Sequence, residues 1–167
     1  MRSFLPKAVL VLLVFAIPAL AAAGEPPSSP AHPDFSGKWT LDLGRSRIDA
    51  RYFSDLTRGV LRIEHREPKF SFRRSFTQGG ESSTVAFTLT TDGKEAEGNE
   101  DGMPTRQSLT WGGDTLVFLT VDRSPRGEAR NTVKYSLDNG GKTLRAEESF
   151  RGPRLSYDNL WVFSKAD

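Results

Sequence analysis

Apolar residues recur at every second position along most of the chain after residue 35. In the run 70–76, for example, Phe70, Phe72 and Phe76 share one face of an extended strand, and Arg74 lies on that same face. Successive side chains of a strand point to opposite faces, so short alternating runs bounded by Gly, Asp and Asn predict β-strands. About 8–10 strands are predicted, over residues 37–43, 60–66, 70–76, 85–89, 94–99, 105–111, 116–121, 129–137, 144–150 and 155–163.

Short connections join most of these runs, such as the Asp92-Gly93 turn within residues 91–94. Short connections make strands that are neighbours in sequence neighbours in the sheet, and a long meander removes its exposed edges by pairing its first and last strands. We therefore predict an all-β fold, a closed antiparallel up-and-down β-barrel. A two-sheet sandwich needs a long crossover, for which residues 45–59 are the candidate. In the barrel, this segment is expected to form a short helix or a loop over one mouth.

The first residues have the pattern of a signal peptide. Arg2 and Lys7 precede an unbroken apolar stretch over 8–17, and small residues follow up to Ala23. This stretch is shorter than the roughly 20 apolar residues that span a bilayer, so we expect cleavage near Ala23 and no stable membrane insertion. The Pro- and Ser-rich segment 24–34 is expected to be a disordered tether, which leaves 35–167 as one barrel domain in a secreted or periplasmic protein.

Charge and cysteine content exclude several functions. The chain has 23 Lys and Arg against 21 Asp and Glu, and removal of Arg2 and Lys7 with the signal peptide leaves 21 of each. A balanced surface gives no reason to expect nucleic acid as a partner, because binding to phosphate backbones needs an excess of positive charge. The chain has no Cys, which excludes disulfides, thiolate metal sites and Cys nucleophiles.

The segment 35–41 contains a Gly-x-Trp sequence at Gly37 and Trp39. It resembles the opening strand of the calycins, which include the lipocalins and the fatty-acid-binding proteins, and it also resembles small secreted lipocalin-like proteins of bacteria. The turns and strands over 91–95, 110–117 and 160–165 are similar to those of the same group. The resemblance implies a closed barrel around a small apolar ligand. It does not identify the ligand, because a Thr-Asp-Tyr second lipocalin motif is missing and 45–59 is shorter than the helical pair of a fatty-acid-binding protein.

We interpret Gly37 and Trp39 as structural residues at the barrel bottom. Glycine permits close backbone approach where the strand enters, and the indole closes the barrel with a large apolar surface. Extending the apolar faces gives a set of residues expected to line the interior and to contact a ligand. They are His65, Phe72, Arg74, Phe87, Gln107, Tyr135, Glu148, Tyr157 and Asn159.

Arg74 and Glu148 are the most informative of these residues, because an interior charge is costly unless it is paired or solvated. One interpretation is that Arg74 binds an acidic head group and that Tyr135 or Tyr157 donates a second hydrogen bond. The alternatives are an internal Arg74–Glu148 ion pair or a β-bulge that turns either residue to solvent. A lone His on an apolar face, such as His65, is usually only hydrogen-bonded.

The sequence contains no Gly-x-Ser-x-Gly, no His-Glu-x-x-His and no glycine-rich phosphate loop. His32 and His65 are the only histidines, too few for a His-based metal triad. We therefore predict no catalytic residues, no metal and no cofactor. The predicted function is an exported, monomeric barrel that binds a small hydrophobic or amphipathic ligand in its interior. The alternative is a non-catalytic structural or protein-interaction barrel of the cell envelope.

Overall fold

A computed structural model describes residues 32–100 and 103–166, with the side chains of 99, 100 and 103 left out of the description. The predicted signal peptide at 1–23 and tether residues 24–31 lie outside this range. Residues 32–34 of the predicted tether are described. The ring of His32 stacks on Trp111, with ring centroids 4.1 Å apart, and the Asp34 carboxylate accepts a hydrogen bond from the backbone N–H of Ser36.

The described chain forms ten strands and one short helix, so the all-β prediction is confirmed. The elements are β1 (Gly37–Leu41), α1 (Ala50–Phe53), β2 (Leu56–Arg66), β3 (Lys69–Gln78), β4 (Glu81–Thr90), β5 (Ala96–Glu100), β6 (Met103–Gly112), β7 (Thr115–Ser124), β8 (Gly127–Asp138), β9 (Thr143–Arg151) and β10 (Ser156–Lys165). The helix lies in the segment where a helix or loop was expected. Its N-cap is Asp49, whose side chain accepts a hydrogen bond from the backbone N–H of Arg51. No helix in these two ranges is long and apolar enough to cross a bilayer.

The strands form one antiparallel up-and-down sheet that curls into a nearly closed barrel. The first and last strands pair, with Trp39 opposite Lys165 and Leu41 opposite Phe163. The sheet order places β4 at one edge and β5 at the other, and the described residues form no strand ladder between them. We call this gap the seam. An isolated β-bridge pairs Asp92 with Thr110 of β6. It lies in the connection between β4 and β5, where the chain crosses the seam.

The connections divide the barrel into two ends. The lower end carries the β2–β3, β6–β7 and β8–β9 turns, and the upper end carries α1 and the β3–β4, β7–β8 and β9–β10 connections. Inward-facing residues near the lower end are almost all apolar and fully buried. They include Phe35, Trp39, Phe70, Leu109, Leu116, Leu144 and Phe163. Polar inward-facing residues are concentrated nearer the upper end.

Candidate functional site in the barrel interior

Trp39 lies at the lower end with its side chain fully buried. Its indole N–H donates a hydrogen bond to the backbone carbonyl of Phe35 at 3.0 Å, and the ammonium of Lys165 lies 5.2 Å from the ring centroid. Gly37 has a φ of +141°, and a Cβ at this position would lie 2.9 Å from Cε of Lys165. The positive φ therefore favours glycine here, whereas the contact with Lys165 involves only the flexible end of that side chain.

His65 belongs to a hydrogen-bond network at the same end. Its Nδ1 accepts from the backbone N–H of Phe35 at 3.4 Å, and its Nε2 lies 3.1 Å from a carboxylate oxygen of Glu67. Glu67 also accepts hydrogen bonds from the hydroxyl of Thr91 and the indole N–H of Trp111. Burial raises the pKa of Glu67, but the hydrogen bonds from Thr91, Trp111 and His65 outweigh it and hold that pKa below its usual value. His65 therefore helps to close the lower end and does not face open space.

The middle of the barrel is filled by aromatic side chains. Phe72 stacks on Phe87 and Phe87 on Phe118, with centroid distances of 4.7 and 4.5 Å, and Tyr135 packs beside Phe72. An interior cavity beside these rings has a volume of about 30 Å³ and is lined by ten residues, among them Arg74, Tyr135 and Glu148; we call it the interior cavity. This volume is far below the roughly 300–1,000 Å³ of ordinary ligand pockets.

Arg74 faces this interior cavity from the centre of β3 and is half-buried. Its guanidinium carbon lies 4.8 Å from the ring centroid of Phe76. Within residues 32–100 and 103–166 it makes no hydrogen bond and no ion pair, so the internal pair with Glu148 is not formed. Burial raises the pKa of Tyr135, against a lowering influence of Arg74 and a further raising influence of Glu148. The phenol next to Arg74 therefore stays protonated and able to donate a hydrogen bond.

The Glu148 carboxylate is 7% exposed and is bound by three donors from the two neighbouring strands. Oε1 accepts from the amide of Asn131 at 2.9 Å. Oε2 accepts from the amide of Asn159 at 2.9 Å and from the indole N–H of Trp161 at 2.8 Å. Hydrogen bonds to a carboxylate offset much of the cost of burying its charge. This network explains how an acidic residue is held inside the barrel without a cation.

The other residues predicted to line the interior lie closer to the upper end. Gln107 is half-buried on β6, directly opposite Thr120 of β7. Tyr157 stacks on Phe150, with centroids 5.1 Å apart, and meets the ring of Phe53 from α1 edge-on. Alternation thus placed these side chains on the inward face, but the structure does not bring them together with Arg74 into one cluster.

A second cavity, of about 720 Å³, opens at the upper end. It lies between the β7–β8 and β9–β10 connections, and its lining includes Asp122, Ala129, Phe150 and Leu155. Asp122, Ala129 and Phe150 occupy inward-facing positions of β7, β8 and β9, so we call this space the mouth cavity. It is large enough for a small ligand. It shares no lining residue with the interior cavity.

Sequence reasoning missed four inward-facing polar residues, namely Thr105, Thr120, Asp122 and Asn131. Thr105 and Thr120 are 2% and 4% exposed. Each lies an even number of positions from a buried apolar residue of its own strand, such as Leu109 or Phe118. The alternation of the strand therefore predicts that each of them faces inward. Among the described residues, no group of three or more His, Asp or Glu is arranged to hold a metal ion.

No protein-family model and no curated protein matches the sequence. Solved structures match it over most of its length. Secretory abundant heat soluble protein 4 from Ramazzottius varieornatus has a TM-score of 0.58 at 15% identity, over 83% of this chain and 100% of that one. The apo lipid binding protein 8 of Caenorhabditis elegans has a TM-score of 0.58 at 14% identity, over 79% and 95%. Human cRBP IV has a TM-score of 0.56 at 18% identity, over 80% and 99%.

The fold is that of a calycin barrel. The expected resemblance is thereby confirmed for the fold. Sequence identities this low do not show a shared function. The barrel described here differs from an open container, because aromatic side chains fill its middle.

Proposed function

We propose that this protein is an exported calycin barrel that binds a small amphipathic ligand and that Arg74 holds the acidic head group of that ligand. The position of Arg74 is the observation that carries the proposal. Its guanidinium lines the interior cavity and lacks a hydrogen-bonding or ionic partner in the described part of the chain. An interior charge is costly without a partner, and guanidinium binds a carboxylate through two parallel hydrogen bonds. The protonated Tyr135 lines the same cavity and is the second donor.

The volumes of the two cavities indicate how such a ligand lies in the barrel. The interior cavity of about 30 Å³ matches a head group of a few atoms, and the largely apolar mouth cavity of about 720 Å³ matches an apolar body. A ligand that occupies both must displace side chains that lie between them. The seam between β4 and β5 allows the barrel to widen without the loss of ladder hydrogen bonds, because none join these strands.

Replacement of Arg74 by Met tests the head-group contact. Arg74→Met keeps an unbranched apolar stem and removes the charge. The affinity for dodecanoate is expected to fall by about tenfold to a hundredfold, because hydrogen bonds to a charged group are lost. Isothermal titration calorimetry on delipidated protein measures this change. Arg73→Met is the matched control, because Arg73 is the exposed outward-facing neighbour on the same strand. Equal losses in both variants, or no binding of dodecanoate to the unaltered protein, would show the proposal to be wrong.

Export is the second part of the proposal, and it is supported by the signal-peptide pattern over residues 1–23. When the full chain is expressed in a bacterial host, we expect the protein in the envelope fraction with Gly24 as its first residue. Intact mass and N-terminal sequencing measure this. Full-length protein that retains Met1 in the cytoplasmic fraction would contradict it.

A non-catalytic barrel without a small ligand is the second candidate, and the small interior volume favours it. In that case the aromatic centre is a packed core like any other, and the outer surface makes the functional contacts. The two candidates differ in a direct test. A delipidated sample that shows no saturable binding across a panel of lipids and fluorophores, together with a stoichiometric protein partner from envelope extract, would favour the second.

A further inference from the structure

Three buried oxygen atoms in the upper half of the barrel have no hydrogen-bond partner within the described ranges. They are Thr105 Oγ1, Asp122 Oδ1 and Asn131 Oδ1. Buried polar atoms are nearly always hydrogen-bonded, because an unpaired one loses its hydration without replacement. Three of them in one region of an otherwise well-satisfied interior indicate a place where an external group completes the hydrogen bonding.

The sheet register places these residues side by side on the inner wall. Thr105 of β6 lies directly opposite Asp122 of β7. Asp122 lies opposite Ala129 of β8, and Asn131 follows two positions later on the same face. Directly opposite side chains have Cβ atoms about 5 Å apart, and diagonal neighbours about 7–8 Å apart. A small polar group between β6 and β7 can therefore reach the Thr105 and Asp122 oxygens, with Asn131 as the diagonal neighbour of Asp122. Asp122 also lines the mouth cavity, which gives access.

The surroundings of each oxygen leave it available for a hydrogen bond to an external group. The amide nitrogen of Asn131 donates to the Glu148 carboxylate, which leaves its Oδ1 turned away as an acceptor. The side chain of Thr105 is 2% exposed, and its hydroxyl both donates and accepts. Burial raises the pKa of Asp122, and no cation offsets this effect. A single acidic side chain with two neutral partners suits an uncharged group that both donates and accepts.

We infer that Thr105, Asp122 and Asn131 form a hydroxyl-binding subsite, so that the ligand of this barrel is a hydroxylated amphipathic acid and not a plain fatty acid. This inference rests on the proposed function, because it concerns the same ligand. A hydroxyl between β6 and β7 donates to Asp122 and accepts from Thr105, whereas an ammonium only donates. A plain alkyl chain in this position would leave all three oxygens unpaired.

The test compares dodecanoate with a set of hydroxydodecanoates that differ in the position of the hydroxyl. At least one isomer is expected to bind the delipidated protein about tenfold more tightly than dodecanoate, as one or two added hydrogen bonds predict. Thr105→Val is expected to reduce this preference to about threefold or less. Thr110→Val, an exposed outward-facing position on the same strand, is the control and should keep the full preference.

The thermal stability of the Thr105→Val variant shows whether it is folded. Valine has the shape of threonine and removes the unpaired buried hydroxyl, so Tm is expected to rise by about 3 °C in differential scanning calorimetry. A fall in Tm would mean that the hydroxyl has a partner inside the protein and would overturn the subsite.

The outcomes separate the inference from the proposed function. If dodecanoate binds in an Arg74-dependent manner but no hydroxy isomer binds more tightly, the hydroxyl subsite is wrong and the head-group proposal stands. A preference that persists in Thr105→Val, or tighter binding of 12-aminododecanoate than of every hydroxy isomer, also overturns the subsite. If none of these acids binds, both proposals are overturned.

Discussion

Glu148→Ala is expected to destabilise the barrel by about 3–5 kcal/mol, the cost of breaking a buried hydrogen-bonded charge network by removal of one partner. The substitution removes the acceptor of three hydrogen bonds at once. The amides of Asn131 and Asn159 and the indole of Trp161 would then be left with unpaired donors inside the protein. Urea unfolding at neutral pH, followed by tryptophan fluorescence and circular dichroism, measures the change.

Glu147→Ala is the matched control for this prediction. Glu147 is the adjacent residue on the outward face, and within residues 32–100 and 103–166 its carboxylate makes an ion pair with Arg145 alone, at 3.5 Å. Exposed ion pairs contribute little, so the change is expected to stay within about 0.5 kcal/mol. Glu148→Gln should fall between the two, because its amide retains one acceptor oxygen. Similar effects at 147 and 148 would show that the interior network does not contribute to stability as described.

Trp39→Ala is expected to destabilise the protein by about 3–5 kcal/mol, the usual cost of truncating a buried Trp. The indole is fully buried, its N–H satisfies the carbonyl of Phe35, and its loss would open a cavity at the lower end. The midpoint of guanidinium unfolding gives the measurement. Trp39→Phe keeps an aromatic ring and removes the hydrogen bond, so its cost should be smaller, at about 1–2 kcal/mol. Equal costs for Ala and Phe would indicate that the hydrogen bond, and not the packing, is what Trp39 supplies.

The strands were predictable because each carries a clear alternation, but their ends were not. β2 begins at Leu56, before the predicted start at residue 60, and its pairing with β3 shifts register between Leu56 and Arg58. An irregular pairing breaks the period of two, which hides the start of the strand from sequence analysis. β4 begins at Glu81 in a run without apolar residues, where hydroxyl contacts such as Ser75 with Thr84 join it to β3.

Alternation also placed Arg74 and Glu148 on the inward face, but it did not give their partners. The donors to Glu148 come from β8 and β10. Asn159 lies directly opposite Glu148, and Asn131 and Trp161 are its diagonal neighbours, so these contacts depend on the register of two separate ladders. Whether a charged residue is paired or left without a partner is thus a property of three strands together. The seam was equally hidden, because the lack of a ladder between β4 and β5 among the described residues leaves no mark on the sequence of either strand.

The pairing of β1 with β10 has a consequence for how the chain folds. Most contacts in the barrel join adjacent hairpins and can form early, but the ladder that includes Trp39 and Lys165 joins residues more than a hundred positions apart. Contacts of such long sequence separation are formed late and slow the overall reaction, because the intervening chain must first be ordered. Until residues 156–165 are in place, the opening strand has a partner on one side alone. We therefore expect the folding chain to hold a partly ordered set of hairpins and to reach its native state only when β10 pairs with β1.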